Sequence, residues 1–166
     1  MRVTSIRKAT LRDIQDLLDC QASVWESLRG MLPTPWIEDE IERSHQPDVR
    51  NILRKIITDQ TRITLVAEEN HAIVGFALGR TDKSGLSWLS FMGVRPTHRR
   101  QGIGHKLVQA YLTESKVKGA HKVSLNTAPD LKPAVKLYVD MGFMFEGLMK
   151  RHRYGVDLII FSKFLE

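Results

Sequence analysis

A basic, glycine-containing loop at residues 94–104 carries the strongest chemical signal in the sequence. It reads VRPTHRRQGIG, so Gly102 and Gly104 stand where a predicted strand gives way to a predicted helix. The first amides of a helix lack intrahelical acceptors and lie at the positive end of the helix dipole. Such amides bind phosphate, and glycines let the anion approach because no Cβ intervenes. Fixed or potential positive charge surrounds the loop at Arg95, His98, Arg99, Arg100, His105 and Lys106.

Two structural roles without any ligand stay open for this loop. The glycines could serve close packing between a helix and a strand, and the arginines could be a solvated loop. The dinucleotide fingerprint G-x-G-x-x-G fails because residue 107 is Leu, and the G-x-x-x-x-G-K-[ST] phosphate loop is absent. A phosphate ligand here is therefore expected to be neither NAD nor a nucleoside triphosphate bound in those ways.

The loop resembles the signature of a known enzyme family. RRQGIG at 99–104 is similar to the R/Q-x-x-G-x-G/A motif of the GNAT superfamily of acetyl-CoA-dependent N-acetyltransferases, and VRP at 94–96 matches the V-x-P that leads into it. Downstream, Asn126, Ala134, Leu137-Tyr138 and Gly142-Phe143 resemble the family's N…A…LY…GF segment. The order of elements also agrees, so the resemblance covers essentially the whole chain.

The resemblance implies acetyl-CoA as cosubstrate, with no metal. The coenzyme's pyrophosphate would lie on the loop at 99–104, and its pantetheine arm along the end of the preceding strand. The implied binding residues are Met92, Gly93, Val94, Arg99, Arg100, Gln101, Gly102, Ile103, Gly104, His105 and Asn126. Gly93 suits either a bulge and close approach or simple packing. Asn126 would orient the coenzyme or the acceptor, unless it is a strand-end turn residue.

The resemblance also implies that Tyr138 is the general acid. A phenol with an ordinary pKa of about 10 can protonate the departing CoA thiolate. Burial in a helix is the alternative role for this tyrosine. The general base is open, because the strand at 86–94 contains no Asp or Glu. Glu68 and Glu69 are candidates, although a solvated turn accounts for them better, and water held by backbone carbonyls and Ser90 is the remaining route.

The elements that position these residues form an α/β (α+β) sandwich. Periodicity predicts strands near residues 3–9, 63–68, 72–79, 86–94, 123–126, 143–149 and 156–165, and helices near 10–28, 49–57, 102–118 and 133–141. Thr10 is expected to cap the first helix. The resemblance implies a mixed, mostly antiparallel sheet of six to seven strands with helices on both faces. With no repeat or linker, residues 1–166 are expected to form a single domain.

The acceptor is framed, by resemblance, by the segments 30–47 and 150–155. The first is predicted to be irregular, because it contains Gly30, Pro33, Pro35 and Pro47. It also carries an acidic run of Glu38, Asp39, Glu40 and Glu42. These acids could attract a cationic amine, such as a polyamine or a protein N-terminus, or could be a solvated face. Lys150, Arg151 and Arg153 in the second segment would compete with that attraction.

Charge and composition limit the remaining classes of function. The 166 residues carry a net charge of +6, with −1 on residues 1–83 and +7 on residues 84–166. This asymmetry also fits a nucleic-acid-binding module, and a CoA-bound sensor without catalysis is the other alternative. Because no DNA- or RNA-binding motif is recognisable, we expect neither nucleic acid nor membrane as a partner. The single Cys20 excludes an internal disulfide and is expected to be a buried hydrophobe. Without a signal peptide or membrane span, we expect a cytoplasmic monomer or homodimer.

Overall fold

A seven-stranded sheet organises residues 4–166, which the computed structural model describes. The strands are β1 (Ser5–Lys8), β2 (Arg62–Glu69), β3 (Ala72–Thr81), β4 (Leu86–Val94), β5 (Lys122–Thr127), β6 (Met144–Arg153) and β7 (Val156–Phe164). Their order is β1-β2-β3-β4-β5-β7-β6. Only β4 and β5 pair in parallel, and the other neighbours are antiparallel. The predicted mixed, mostly antiparallel sheet is therefore confirmed, although Val3 of the predicted first strand lies outside the described residues.

Helices cover both faces of this sheet, as predicted. They are α1 (Ile14–Glu26), α2 (Thr34–Ser44), α3 (Val49–Thr58), α4 (Ile103–Val117) and α5 (Lys132–Asp140), with 3-10 turns at Leu11–Asp13 and Pro96–His98. On one face, residues of α4 and α5 such as Leu107, Tyr111 and Tyr138 pack over Leu125 and Phe161. On the other face, α1 and α3 cover the first strands. A smaller apolar cluster joins α2 to the end of β5 and to β7.

The segment 30–47 is predicted to be irregular, and this prediction is wrong over most of its length. Residues 34–44 form α2, whose Trp36 and Ile37 are buried against Ala128 and Leu158. Pro35 lies in the first turn, where its missing N–H has no helical acceptor to lose. The frequent Pro and Gly residues suggest irregular structure, but the helix begins directly after Pro33 and ends before Pro47.

Two smaller expectations are decided in this region. Thr10 is the N-cap of the 3-10 turn that leads into α1, and it forms a capping box with Asp13, whose carboxylate accepts from the Thr10 N–H at 2.6 Å and from its hydroxyl at 3.1 Å. Glu69 is the last residue of β2 and is buried, so a solvated turn does not describe it. The turn itself is made by Asn70 and His71, both with positive φ.

An ion-pair cluster fixes the start of α1 to the first two strands. The Arg7 guanidinium donates to both carboxylate oxygens of Asp13, at 2.7 and 2.8 Å, and its Nε donates to Glu68 at 2.6 Å. The Asp13 side chain is only 10% exposed. Hydrogen bonds from Arg7 are the main reason that the pKa of Asp13 falls from 3.8 to about 2.

This cluster makes stability depend on pH. Because the folded pKa of Asp13 lies below its unfolded value, the stabilisation is complete above about pH 4 and is lost as pH falls toward 2. We expect Asp13→Asn to lower the free energy of unfolding at pH 7 by about 2 kcal/mol. In urea denaturation the difference from the unsubstituted protein should disappear near pH 2. Asp130→Asn, at an exposed carboxylate, is the control. An equal loss at pH 7 in both variants would contradict this account.

Candidate active site

The candidate site begins where β4 and β5 stop pairing. Leu86–Leu89 pair in parallel with Lys122–Leu125, and no β5 partner is found for residues 90–94 within the part of the chain that the structure describes. The parting coincides with a β-bulge. Leu78 of β3 is opposite Phe91 and Gly79 is opposite Leu89, so Ser90 is an extra residue on β4. A bulge bends its strand and increases the local twist, which opens a gap between β4 and β5.

Backbone groups at the end of β4 face this gap. Arg95 N donates to Val74 O of β3 at 2.8 Å, so by alternation Gly93 and Phe91 direct their backbone groups to β3. The backbone groups of Met92 and Val94 therefore point to the side that β5 has left. One of these groups, the Val94 carbonyl, already accepts a hydrogen bond from Arg99 Nε at 3.0 Å. Strand hydrogen-bonding groups thus remain available for an extended ligand.

Six successive amides form the second part of the site. Within residues 4–166, the N–H groups of residues 100–105 donate to no protein acceptor, and the first helical bond of this region runs from Lys106 N to Gly102 O. Arg100 and Gly102 both have left-handed φ, at 61° and 77°, so the chain turns sharply before α4. Consecutive free amides at the start of a 15-residue helix are typical of sites that bind an anion.

The basic residues around these amides divide into two groups. Arg100, His105 and Lys106 are exposed beside the start of α4, where their charge can reach a ligand. Arg95 was expected to join them, but its guanidinium donates to Asp16 of α1 at 2.9 Å and to Ile73 O at 2.7 Å. The expectation for Arg95 is therefore wrong, because its charge is neutralised inside the fold.

Arg99 bridges two elements that flank the gap. Besides its bond to Val94 O, its guanidinium donates to Ser27 Oγ just after α1, at 2.6 Å. Partial burial lowers the pKa of Arg99 relative to its ordinary value. Gln101 is exposed next to it, whereas Ile103 is buried in the core and can offer only its backbone.

The three glycines of the region have different reasons to be glycine. A Cβ at Gly104 would lie 3.2 Å from Leu137 Cδ2, so this residue lets α5 approach α4. A Cβ at Gly93 would lie 2.7 Å from Val24 Cγ1 of α1, which favours a packing role, and the bulge is at Ser90 instead. Gly102 has open space around it and needs glycine for its positive φ.

Tyr138 and Asn126 lie on elements that border the gap. Tyr138 is buried on α5 and makes an edge-to-face contact with Phe143, with ring centroids 5.7 Å apart. Burial raises the pKa of the Tyr138 phenol above its ordinary value of 10, so the hydroxyl stays protonated at alkaline pH. Asn126 is exposed and directly follows Leu125, the last β5 residue paired with β4.

The candidate bases from the sequence are committed to other contacts. Glu68 accepts from Arg7, and buried Glu69 accepts from the Thr4 hydroxyl at 3.1 Å, both in β2 at the side of β1. Cys20 is fully buried, and burial raises the pKa of its thiol to about 12. A thiol that stays protonated is a poor nucleophile, which favours direct attack by the amine over transfer through Cys20.

The two segments expected to frame the acceptor contact each other. The tip of the β6–β7 hairpin lies on α2, where Arg153 forms an ion pair with Glu40 and the Tyr154 hydroxyl donates to Asp39. Lys150 pairs with Asp157 at 2.7 Å. Two members of the acidic run therefore hold the hairpin, while Glu38 and Glu42 stay exposed.

Comparison with known proteins identifies the class. The family model described as "Acetyltransferase (GNAT) family" matches residues 22–143, and the chain belongs to this family. It is similar to N-alpha-acetyltransferase 30 of Schizosaccharomyces pombe, with 25% identity over 117 residues that cover 68% of this chain and 78% of that protein. It is also similar to N-acetyltransferase family 8 member 3 of Mus musculus, with 30% identity over 60% of this chain and 46% of that protein. The protein is thus an acetyltransferase, as predicted.

Solved structures share the fold. The PaiA N-acetyltransferase of Thermoplasma acidophilum, solved in complex with coenzyme A, superposes with a TM-score of 0.82 at 19% identity, covering 98% of this chain and 99% of that one. The ribosomal-protein-S18-alanine N-acetyltransferase of Escherichia coli gives 0.72 at 15% identity, covering 96% and 92%. Among residues 4–166, no three His, Cys, Asp or Glu side chains are grouped to hold a metal ion. The helices in that range are too short or too polar to span a bilayer.

The two ends of α4 offer a matched test of the anion site. Gly102 and Gly119 both have positive φ, at 77° and 82°, and a Cβ at either would meet no atom of the described part of the chain within 4 Å. Valine at either position should therefore cost a similar 1–2 kcal/mol, roughly, of stability. Only Gly102→Val disturbs the free amides, so it should weaken acetyl-CoA binding about tenfold or more, through lost charge-assisted hydrogen bonds. Isothermal titration calorimetry measures the affinity of each variant for acetyl-CoA. Equal affinity in the two variants would show that the amides of residues 100–105 do not bind the coenzyme.

Proposed function

We propose that this protein transfers the acetyl group of acetyl-CoA to a primary amine by direct attack, with the whole chain, 1–166, as one catalytic domain. The observation that carries the proposal is the continuity between the open end of β4 and the six free amides that follow it. An extended arm that ends in a pyrophosphate matches this arrangement. The arm would bond to the backbone of Met92 and Val94, and the pyrophosphate would accept from residues 100–105. Arg100, His105 and Lys106 would add charge.

Tyr138 is proposed as the general acid of the reaction. The amine nitrogen attacks the thioester carbonyl carbon, a C–N bond forms, and the tetrahedral intermediate collapses as the C–S bond breaks. The departing thiolate then takes the phenolic proton of Tyr138, and the proton that the attacking nitrogen loses returns to the phenolate, which gives the N-acetylated product, coenzyme A and the neutral phenol. The match of Leu137-Tyr138 to the family segment supports this role, and burial keeps the phenol protonated because it raises the pKa of Tyr138.

The acceptor must lose a proton before it attacks, and solvent is the proposed route. β4 has no carboxylate, and Glu68 and Glu69 are held at the β1 side of the sheet. Ser90 is exposed at the bulge, next to β4 carbonyls that face the gap. Water held there would carry the proton away from the ammonium group. In this proposal water, and not a single side chain, accepts the proton of the ammonium group and passes it to solvent.

The proposed acceptor is the amine of a protein N-terminus or of a small polyamine. It would enter on the face of the sheet that carries α2 and the hairpin, because these frame the gap opposite α4 and α5. Names of similar proteins, N-alpha-acetyltransferase 30 and a ribosomal-protein alanine N-acetyltransferase, support a peptide N-terminus. The polyamine alternative is supported by the exposed Glu38 and Glu42.

The two most buried tyrosines test the general acid. Tyr138→Phe should lower kcat by about 100-fold or more while acetyl-CoA affinity stays the same, because only proton transfer is lost. Tyr111→Phe is the matched control. Its hydroxyl is fully buried and donates to Trp88 O at 2.9 Å, so its loss should reduce stability and leave kcat unchanged. Thiol release with acetyl-CoA and a panel of peptides and polyamines measures kcat.

Three outcomes separate the candidate functions. Equal kcat for Tyr138→Phe and the unsubstituted protein would exclude Tyr138 as the acid. Coenzyme binding without turnover on any acceptor would favour the sensor. Failure of both acetyl-CoA and coenzyme A to stabilise the protein in a thermal-shift assay would contradict the proposed site.

A further inference from the structure

The guanidinium of Arg153 is held by groups that typically recognise an organic cation. Its Cζ lies 5.0 Å from the ring centroid of Trp36 and 5.9 Å from that of Tyr154. The same guanidinium forms an ion pair with Glu40. Two aromatic faces and a carboxylate attract ammonium and guanidinium groups alike, because the ring quadrupoles and the negative charge act on the same cation.

This group of residues is a built site and not a chance surface contact. Trp36 is only 7% exposed and the Glu40 side chain 12%, so both are fixed by packing. Tyr154 stacks on Trp36, with ring centroids 6.0 Å apart and planes at 22°. Its φ of 51° is unfavourable for a bulky residue, and the hydrogen bond to Asp39 helps to hold it there. Arg153 itself is 35% exposed, so the cation position opens to solvent.

A stack of rings connects this position to the gap in the sheet. Trp36 lies 6.4 Å from Trp25 of α1, and Trp25 stacks on Phe91 of β4 at 4.7 Å. Phe91 is next to Ser90 and Met92, where β4 has separated from β5. The cation position is therefore on the acceptor side, within the same packed unit as the open strand.

We propose that Trp36, Tyr154 and Glu40 form an organic-cation subsite for the acceptor, which Arg153 occupies in the free protein. This inference rests on the proposed acetyl transfer and names the acceptor class: an amine that carries a second cation, either a guanidinium or an ammonium. Such an acceptor takes the place of Arg153, whose side chain swings into solvent. The ligand can bind only when Arg153 has left the subsite. The apparent affinity of the unsubstituted protein for the ligand is therefore the intrinsic affinity multiplied by the fraction of molecules in which the subsite is vacant.

Two arginines in the same hairpin give a charge-matched test. Arg153→Ala removes the cation that lies beside the two rings and leaves Glu40 with only its 3.6 Å contact to Arg43 among residues 4–166, whereas Arg151→Ala removes the same charge from an exposed side chain outside the subsite. The probe is N-acetylarginine amide, which has a guanidinium but no acceptor amine, with binding measured by calorimetry and tryptophan fluorescence. Arg153→Ala should bind the probe about tenfold tighter than Arg151→Ala or the unsubstituted protein does. The reason is that the probe's guanidinium can contact the two rings and the carboxylate without displacing Arg153. Equal affinity for Arg153→Ala and Arg151→Ala would overturn the subsite.

A variant on α2 checks that the carboxylate is part of the subsite. In the Arg153→Ala background, Glu40→Gln should reverse most of the gain, and Asp130→Asn, at an exposed carboxylate outside α2 and the hairpin, should leave it. Circular dichroism and thermal melts establish that each variant is folded. If Arg153→Ala unfolds, Arg153→Met keeps the packed stem without the charge and gives the same comparison. A gain that survives Glu40→Gln unchanged would contradict the proposed role of the carboxylate.

Transfer assays separate this proposal from the proposed function. The acceptors are Ala-Arg-Ala-amide, its Gln analogue and spermidine, with Arg153→Ala compared against Arg151→Ala. If Arg153→Ala has a lower KM than Arg151→Ala for the Arg peptide only, the acceptor carries a guanidinium. If its KM is lower for spermidine only, the acceptor carries a second ammonium group. If no acceptor is acetylated while the probe still binds more tightly, the acetyl-transfer proposal fails and the cation subsite remains. If transfer proceeds with equal KM values in both variants, the subsite fails and acetyl transfer remains.

Discussion

The end of pairing between β4 and β5 is the constraint on which the site depends. Four residue pairs hold the two strands together, and the bulge at Ser90 turns the rest of β4 away. Backbone N–H and C=O groups are strong hydrogen-bonding groups that must be satisfied by protein, water or ligand. The open half of β4 and the amides of residues 100–105 supply two sets of such groups, separated by the 95–99 segment, where the N–H groups of Arg95, His98 and Arg99 are already bonded. We propose that a ligand with an amide-bearing arm and a pyrophosphate satisfies both sets.

The charge asymmetry of the sequence is partly resolved by contacts between its halves. Arg95 and Arg153, from the basic second half, pair with Asp16 and Glu40 of the first half. Lys122, Lys136 and Lys150 pair with acids of their own half. These five residues are therefore paired within the chain, whereas Arg100 and Lys106 remain exposed beside the free amides. The excess positive charge of the second half is thus divided between ion pairs and the start of α4.

Much of the fold could be predicted, because local patterns determine it. Alternating apolar residues marked the strands, and the helix that begins after Gly102 followed from its apolar periodicity and its glycine start. The loop at 99–104 could be singled out as a candidate site, since a strand, a basic turn and a helix start are contiguous in sequence, and its role in binding the coenzyme stays a prediction. Helix α2 was missed because Gly30, Pro33, Pro35 and Pro47 suggest irregular structure, while Trp36 and Ile37 find their packing partners only in the tertiary fold.

Features that depend on distant residues could not be predicted. The bond between Arg95 and Asp16 joins positions 79 residues apart, and the contact of Arg153 with Glu40 spans 113 residues. The bulge at Ser90 arises from the register between β3 and β4, which no local pattern specifies. The free amides could be anticipated from the helix start, but their number depends on left-handed turns at Arg100 and Gly102.

Amide hydrogen exchange of residues 100–105 tests the central claim most directly, measured by nuclear magnetic resonance with and without coenzyme A. In the free protein these six N–H groups have no acceptor among the described residues 4–166 and should exchange rapidly. Bound coenzyme A should slow their exchange and that of Met92 and Val94 N–H groups, while amides at the far end of α4 stay unchanged. Protection that is absent at residues 100–105 when the protein is saturated with coenzyme A would contradict the account.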